Sequence, residues 1–164
     1  MEKVWQYGCI YCRTGMEKSI TDSINENYEC VEGIAPMRIR RKTVEGKFLV
    51  DKVRLLPGYI FFRTTDESLI QRLIRISGVY KLLEYDKGTW QLNGTDRAFA
   101  EFLFDNDLLQ LSHATIIDGR LHFTDGIFEG HDDSVIRVNR RKKTAEVQLG
   151  IDKLSFWIGY DEQT

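Results

Sequence analysis

An α+β domain followed by a small all-β barrel is the fold this chain predicts, and three observations carry the prediction. Up to residue 111, strand-like apolar runs interleave with segments whose apolar residues recur at helical spacing. Beyond residue 120 only short runs with strict two-residue alternation remain. Between them the periodicity fades, and "DGR" at Asp118–Arg120 marks a turn. The predicted division is residues 1–111, an α+β domain; 112–119, a linker; and 120–164, an SH3-like barrel.

The elements follow in order. "VWQYGCIYC" reads as a buried first strand. Thr14 lies three residues before Glu17, the spacing of a capping box that opens a helix. In that helix Met16, Ile20, Ile24 and Tyr28 form a buried stripe, with Glu17, Lys18, Asp22 and Glu26 toward water and a stop near Asn27–Cys30. "CVEGIAPM" is extended, and Pro36 suits a strand end. A long polar hairpin turns at Glu45-Gly46. "YIFF" is a buried strand after the Pro57-Gly58 turn. Asp66–Ile76 has helical spacing and stops at Ser77-Gly78; "VYKLLEY" resumes as a strand. Thr95–Leu111 is a third helix with Phe99, Phe102 and Leu103 as its stripe and Asn93 or Thr95 as cap. The barrel strands are "LHF", "SVIRVN", "TAEVQLG" and "LSFWIG"; Ile136 and Val138 share one face, as do Ala145, Val147 and Leu149.

Composition bounds the function. The chain has 164 residues, 42% hydrophobic and 12% aromatic, ample for a packed core, and its formal net charge is −2. No apolar run approaches a membrane span and "MEKVWQYG" lacks a signal peptide's apolar stretch, so a soluble cytoplasmic protein is expected. Cys9, Cys12 and Cys30 are too few and too odd for a disulfide framework. Cys9 and Cys12, three apart on a strand, point to opposite faces and form neither a chelate nor a redox pair. His113, His122 and His131 are scattered singly. With no nucleophile–base pair, phosphate loop or metal cluster at meaningful spacing, the chain reads as a non-enzyme without cofactor or metal.

Charge is concentrated instead. "RIRRK" supplies Arg38, Arg40, Arg41 and Lys42 on one arm of the long hairpin, with Lys47, Lys52 and Arg54 on the other. A hundred residues later "NRRKK" supplies Arg140, Arg141, Lys142 and Lys143 at the tip of the barrel's central hairpin, with Arg137 beside them. An acidic chain with local basic tips suits contact with nucleic acid at chosen points; a solvated edge ribbon is the other reading of the first patch. Phe156 and Trp157 either stack on a base or pack the last strand.

In order and spacing, "YCRTGMEKSI", "IAPMR", "LLPGYIFF", "ISGVYKLLE" and "TDGIFEGHDDSVIRVNRRKKTAEVQL" resemble the NusG family of transcription elongation factors from end to end. The resemblance implies an N-terminal antiparallel sheet with flanking helices that docks on the clamp helices of RNA polymerase, and a C-terminal KOW barrel that recruits partners. Carried over by position, Tyr7, Gly8, Leu55, Leu56, Tyr59 and Phe61 are the implied polymerase contacts, and Phe128 marks the KOW partner surface. Leu55 and Leu56 stand where phenylalanines usually precede PGY, which points to a specialised paralogue; Asp133 stands for a KOW-loop glycine, a departure that leaves open the binding of ribosomal protein S10 or Rho that the family implies. "RTGME" and the basic KOW hairpin are most similar to the specialised LoaP subgroup of antiterminators, which implies a monomer that reads a structured leader RNA, with non-template DNA as a second nucleic-acid partner. In RfaH, another specialised relative, the C-terminal domain can fold as a helical hairpin, whereas alternation predicts a barrel here. A general elongation factor and a polymerase-independent KOW RNA-binding module stay open as alternatives.

Overall fold

The computed structural model describes residues 4–163; the ends of the expected domain ranges, 1–3 and 164, lie outside them. In chain order its first elements are β1 (Gln6–Cys12), α1 (Glu17–Asn27), β2 (Val31–Ile34), β3 (Met37–Val44), β4 (Lys47–Arg54), β5 (Tyr59–Thr64), α2 (Ile70–Leu73), β6 (Val79–Leu82) and α3 (Gly94–Asp105). There follow β7 (Leu108–Leu109), β8 (Ser112–Ile117), β9 (Arg120–Phe123), β10 (Val135–Asn139), β11 (Thr144–Gln148) and β12 (Ser155–Glu162). These form two compact units that do not follow chain order. The first holds residues up to Pro36, Leu56–Asp107 and Gly150–Asp152; the second holds Met37–Leu55, Leu108–Leu149 and the residues from Lys153 onward.

The first unit is built on the antiparallel sheet β2-β5-β1-β6. Alternate residues serve two faces. Ile10 and Cys12 of β1 and Ile60 and Phe62 of β5 pack with Ile20 and Ile24 of α1 and Ile70 and Leu73 of α2. Met16 and Tyr28 complete the stripe read from the sequence. Burying each large apolar side chain here contributes about 1.5–3 kcal/mol. Phe61, Tyr7 and Cys9 occupy the other face: Phe61 meets Phe99 edge-on at 6.0 Å between centroids, and Tyr7 meets Phe104 at 5.8 Å. Cys9 pairs in register with Phe61 and Cys12 sits in the α1 cluster, so the two thiols do point apart; burial pushes the Cys9 thiol up, away from reactivity.

Three local expectations are corrected. Glu17 does not complete a capping box with Thr14 and does not face water. It is buried, and its carboxylate accepts N–H bonds from Gly15 at 2.6 Å and from Gly58 at 2.9 Å. A charged acceptor that satisfies two turn amides offsets its own desolvation, and so fixes the Pro57-Gly58 turn against α1. The helix expected over 66–76 is one 3-10 turn at Glu67–Leu69 followed by the short α2, capped by Asp66, which accepts from the Ser68 N–H at 3.0 Å. The third helix stops at Asp105 rather than 111. There the Asn106 backbone N–H and its side-chain amide both donate to the Phe102 carbonyl, and Asn106 leaves helical geometry at φ −141°.

The second unit holds two sheets. One is β4-β3-β7, with β7 parallel to β3; the other is β10-β11-β12-β8-β9, antiparallel except for the β12–β8 pair. The stretch 112–119, expected as a linker, therefore supplies strand β8, and Asp118-Gly119, both at positive φ, form its turn into β9. The barrel core follows the predicted alternation in β11, where Ala145 and Val147 are buried with Phe156 and Ile158. In β10 a bulge between Val135 and Arg137 breaks it, and Ile136 is 47% exposed instead of facing the core. Among the described residues no helix is long and apolar enough to cross a membrane.

Candidate nucleic-acid interface

The first basic patch is set by an eight-residue pairing. Glu45 and Gly46 at the turn have φ of 52° and 78°, the left-handed pair that a two-residue hairpin turn needs. With that turn fixed, Arg40 faces Asp51 across the strands, and Arg38 and Lys42 lie on the same face. The Arg40 guanidinium donates to both Asp51 oxygens at 3.1 and 2.8 Å, and Lys42 Nζ lies 3.3 Å from Asp51. Hydrogen bonds from Arg40, then those from Lys42, hold the Asp51 carboxyl down at about 2. Arg41 points to the other face and pairs with Asp161 of β12. Arg38 is half-buried, and burial lowers its pKa from the usual arginine value.

The second patch is the β10–β11 tip. Asn139 Oδ1 accepts from the Lys142 N–H at 3.0 Å, and Lys143 takes the left-handed backbone at φ 55°, so the chain reverses within the basic run itself. Glu162 accepts from Lys143 Nζ at 2.9 Å and from Arg140 at 3.4 Å, and those bonds hold its pKa below the ordinary carboxylate value. Arg137 lies 3.8 Å from Glu146. Arg141 and Lys142 are exposed, and among the described residues neither has a carboxylate within ion-pair distance.

These two tips, read separately in the sequence, face one groove of about 920 Å³ within the second unit. One side is bordered by Arg38, Arg40, Arg41 and Lys42, of which Arg41 shares the face of Phe48 while the other three alternate to the opposite face; the other side is bordered by Arg141, Lys142 and Lys143. Phe48 and Trp157 supply aromatic lining, and Tyr160 borders the groove while staying fully buried. Seven cationic residues thus border the groove, and three carboxylates outside its lining, Asp51, Asp161 and Glu162, pair with some of them. Arg137 and Arg140, named with the second patch, lie outside the lining.

The residues named for polymerase contact distribute differently. Tyr7, Leu55, Leu56 and Phe61 are buried. Gly8 packs where any Cβ would sit 2.4 Å from Phe62 Cζ, under the stacked Phe62–Trp90 pair. Tyr59 alone keeps partial exposure. Its ring lies 5.1 Å from Tyr11, which lies 5.3 Å from Tyr80, itself 59% exposed. Phe128 is buried in the barrel between Phe123 and Phe156, at 6.0 and 6.3 Å. Of the two aromatics weighed at the last strand, Phe156 packs the core and Trp157 lines the groove.

Sequence reasoning passed over Asp51, Phe48, Tyr160, Tyr11 and Tyr80. Asp51 was readable: it is the mirror position of Arg40 about the Glu45-Gly46 turn. Tyr11 was readable through its register partner Tyr59. Phe48 and Tyr160 come to border the groove only through the packing of separate segments in the second unit, which no local pattern encodes.

A family model described as transcription termination factor nusG matches residues 6–97, from β1 into α3. No curated protein sequence matches the chain. Among solved structures, one described as "Domain interaction in Thermotoga maritima NusG" is similar over 94% of this chain and 92% of that chain, with a TM-score of 0.52 and 13% sequence identity. At that identity the likeness concerns the fold, and it extends over both the interleaved and the all-β portions.

Proposed function

The chain belongs to the NusG family of transcription factors, and from that premise we propose that it is an antitermination and elongation factor of the LoaP-like kind. In this reading it holds RNA polymerase, as NusG-family proteins do, through its N-terminal α+β part, and it holds a structured leader RNA between its two basic hairpins. It works by binding, without catalysis.

The observation that carries the reading is that seven cationic residues of the two hairpins border a single groove in a chain whose net charge is −2. An acidic body repels nucleic acid in general, while a local concentration of arginine and lysine attracts phosphates at one place. An RNA emerging beside a polymerase-bound factor meets that groove at high effective concentration, so modest intrinsic affinity suffices. For the polymerase contact, the partly exposed Tyr11–Tyr59–Tyr80 cluster supports a docking anchor of the kind aromatic side chains provide.

The test is transcription in vitro by a bacterial RNA polymerase through an intrinsic terminator, on templates carrying the leader beside this protein's gene or a scrambled leader. Read-through that rises only with the native leader is the expected result. A change independent of the leader would make the protein a general elongation factor, and no effect on either template would remove it from the polymerase altogether.

A further inference from the structure

We propose that the outer edge of β4 is a docking site for an extended acidic peptide, which joins the β4-β3-β7 sheet as a further strand. The site is the backbone rim of the first hairpin, and it does not depend on the RNA reading. In its sheet β4 is an edge strand, paired with β3 alone. The Glu45-Gly46 turn closes on the pair Val44 and Lys47, and a two-residue turn of this kind closes on a hydrogen-bonded pair. Alternation along the ladder then directs the N–H and C=O groups of Lys47, Leu49, Asp51 and Val53 inward to β3, and those of Phe48, Val50 and Lys52 outward. Among the described residues no turn, loop or further strand supplies a backbone partner to these last three.

The side chains beside that edge define what fits it. Phe48 is 81% exposed and Val50 64%, and Val44 and Leu49 are exposed with them. Four large apolar side chains within seven residues, beside open backbone groups, make a template for strand addition. A second copy of the chain is the first alternative occupant, and charge opposes it. From Arg38 to Arg54, seven lysine and arginine side chains stand against only Glu45 and Asp51, so two such hairpins brought edge to edge repel. An acidic strand meets the opposite situation. Lys47 and Lys52 are exposed, flank the Phe48–Val50 stretch on either side, and are in no ion pair among the described residues. Asp51, the one carboxylate on β4, is already held by Arg40. A partner with an apolar centre and a carboxylate at each end sets opposite charges against both lysines and apolar residues against Phe48 and Val50. The main-chain bonds supply affinity, and these cross-strand pairs choose the partner. The lysines thus guard the edge against its own copies while leaving it open to a strand that carries carboxylates.

The experiment uses the full-length protein and a capped, fluorescein-labelled peptide, ETVIVE, whose residues in antiparallel pairing fall in turn opposite Lys52, Asp51, Val50, Leu49, Phe48 and Lys47. Two companions are the charge-reversed KTVIVK and an ETVIVE N-methylated at its first valine, the residue that exchanges backbone bonds with Val50. Anisotropy gives affinity, and amide hydrogen exchange by NMR locates the contact. The proposal predicts that ETVIVE binds and protects the amides of Phe48, Val50 and Lys52. N-methylation should weaken binding roughly fivefold, the scale of one hydrogen bond. KTVIVK should bind roughly tenfold more weakly, because like charges then face each other at both ends. Lys47→Glu combined with Lys52→Glu should reverse the order of the two peptides, a gain for KTVIVK that misfolding cannot imitate. Absence of ETVIVE binding, indifference to N-methylation, or an unchanged preference in the double variant would overturn the site. Protection of the same three amides in a peptide-free dimer would assign the edge to a second copy, and their protection by an RNA octamer would assign it to nucleic acid; either result would overturn the acidic peptide as its occupant.

Discussion

The two basic hairpins carry similar runs of charge but not similar available charge. In the β3–β4 hairpin, Asp51 on the opposite strand pairs with Arg40 and Lys42, and Asp161 pairs with Arg41. In the β10–β11 tip, Glu162 pairs with Lys143 and Arg140, leaving Arg141 and Lys142 with no carboxylate partner among the described residues. A cation already paired must give up part of that attraction before it can serve a phosphate, whereas an unpaired exposed one need only shed counterions. The lesson is that the available positive charge of a hairpin is set by its cross-strand register and its neighbours, not by the length of its basic run.

The sharpest way to break this comparison is to remove the unpaired tip. Arg141→Ala with Lys142→Ala should weaken RNA binding roughly tenfold or more at moderate salt and make the log–log salt slope shallower by about 1.4, the effect of two lost single-strand phosphate contacts. Titrations at four salt concentrations measure both. A smaller loss, roughly threefold, is expected for Arg40→Ala with Lys42→Ala, because Asp51 already cancels part of their attraction. If the paired arm proved as costly to remove as the unpaired tip, the distinction would collapse.

Asp51→Asn inverts the sign. It frees Arg40 and Lys42 while nearly preserving the hairpin's shape, so RNA binding should tighten by roughly two- to threefold and the salt slope should steepen. The smallest effect concerns pH. The folded Asp51 pKa of about 2 lies below the ordinary aspartate value of 3.8, so the pair's stabilisation is complete above that value and is lost as pH falls toward and through about 2. Between pH 7 and 5 the charge state of this pair should therefore stay constant. Carboxyl-carbon NMR should give an Asp51 midpoint near 2, and Arg40→Gln should raise it toward the ordinary value.

Much of this organisation was legible before any coordinates. The Glu45-Gly46 turn, the apolar stripe of α1 and the alternation of β11 each follow from one local rule, and each is present. The misreadings share a different cause. Glu17 is spaced for a capping box, but a buried amide at Gly58, distant in sequence, outbids the local partner. The third helix is apolar enough to continue, but Asn106 turns its side-chain amide back onto the Phe102 carbonyl and releases β7 to join β3. Tyr7 and Phe61, polymerase contacts only by family position, are a different case: strand parity aims them at Phe104 and Phe99 under α3. At the groove, each basic run was visible and their convergence was not. That depends on the packing of segments far apart in the chain, Met37–Leu55 with Lys153 onward, within one unit.

The central claim is that the two hairpins hold one RNA together. The most direct test is an amide NMR titration of the full-length protein with a single-stranded RNA octamer, following both tips at once. The account predicts that amides of 38–42 and of 140–143 shift together, with one common dissociation constant and a stoichiometry of one RNA per protein. Shifts confined to one hairpin, or two separable binding events, would contradict it.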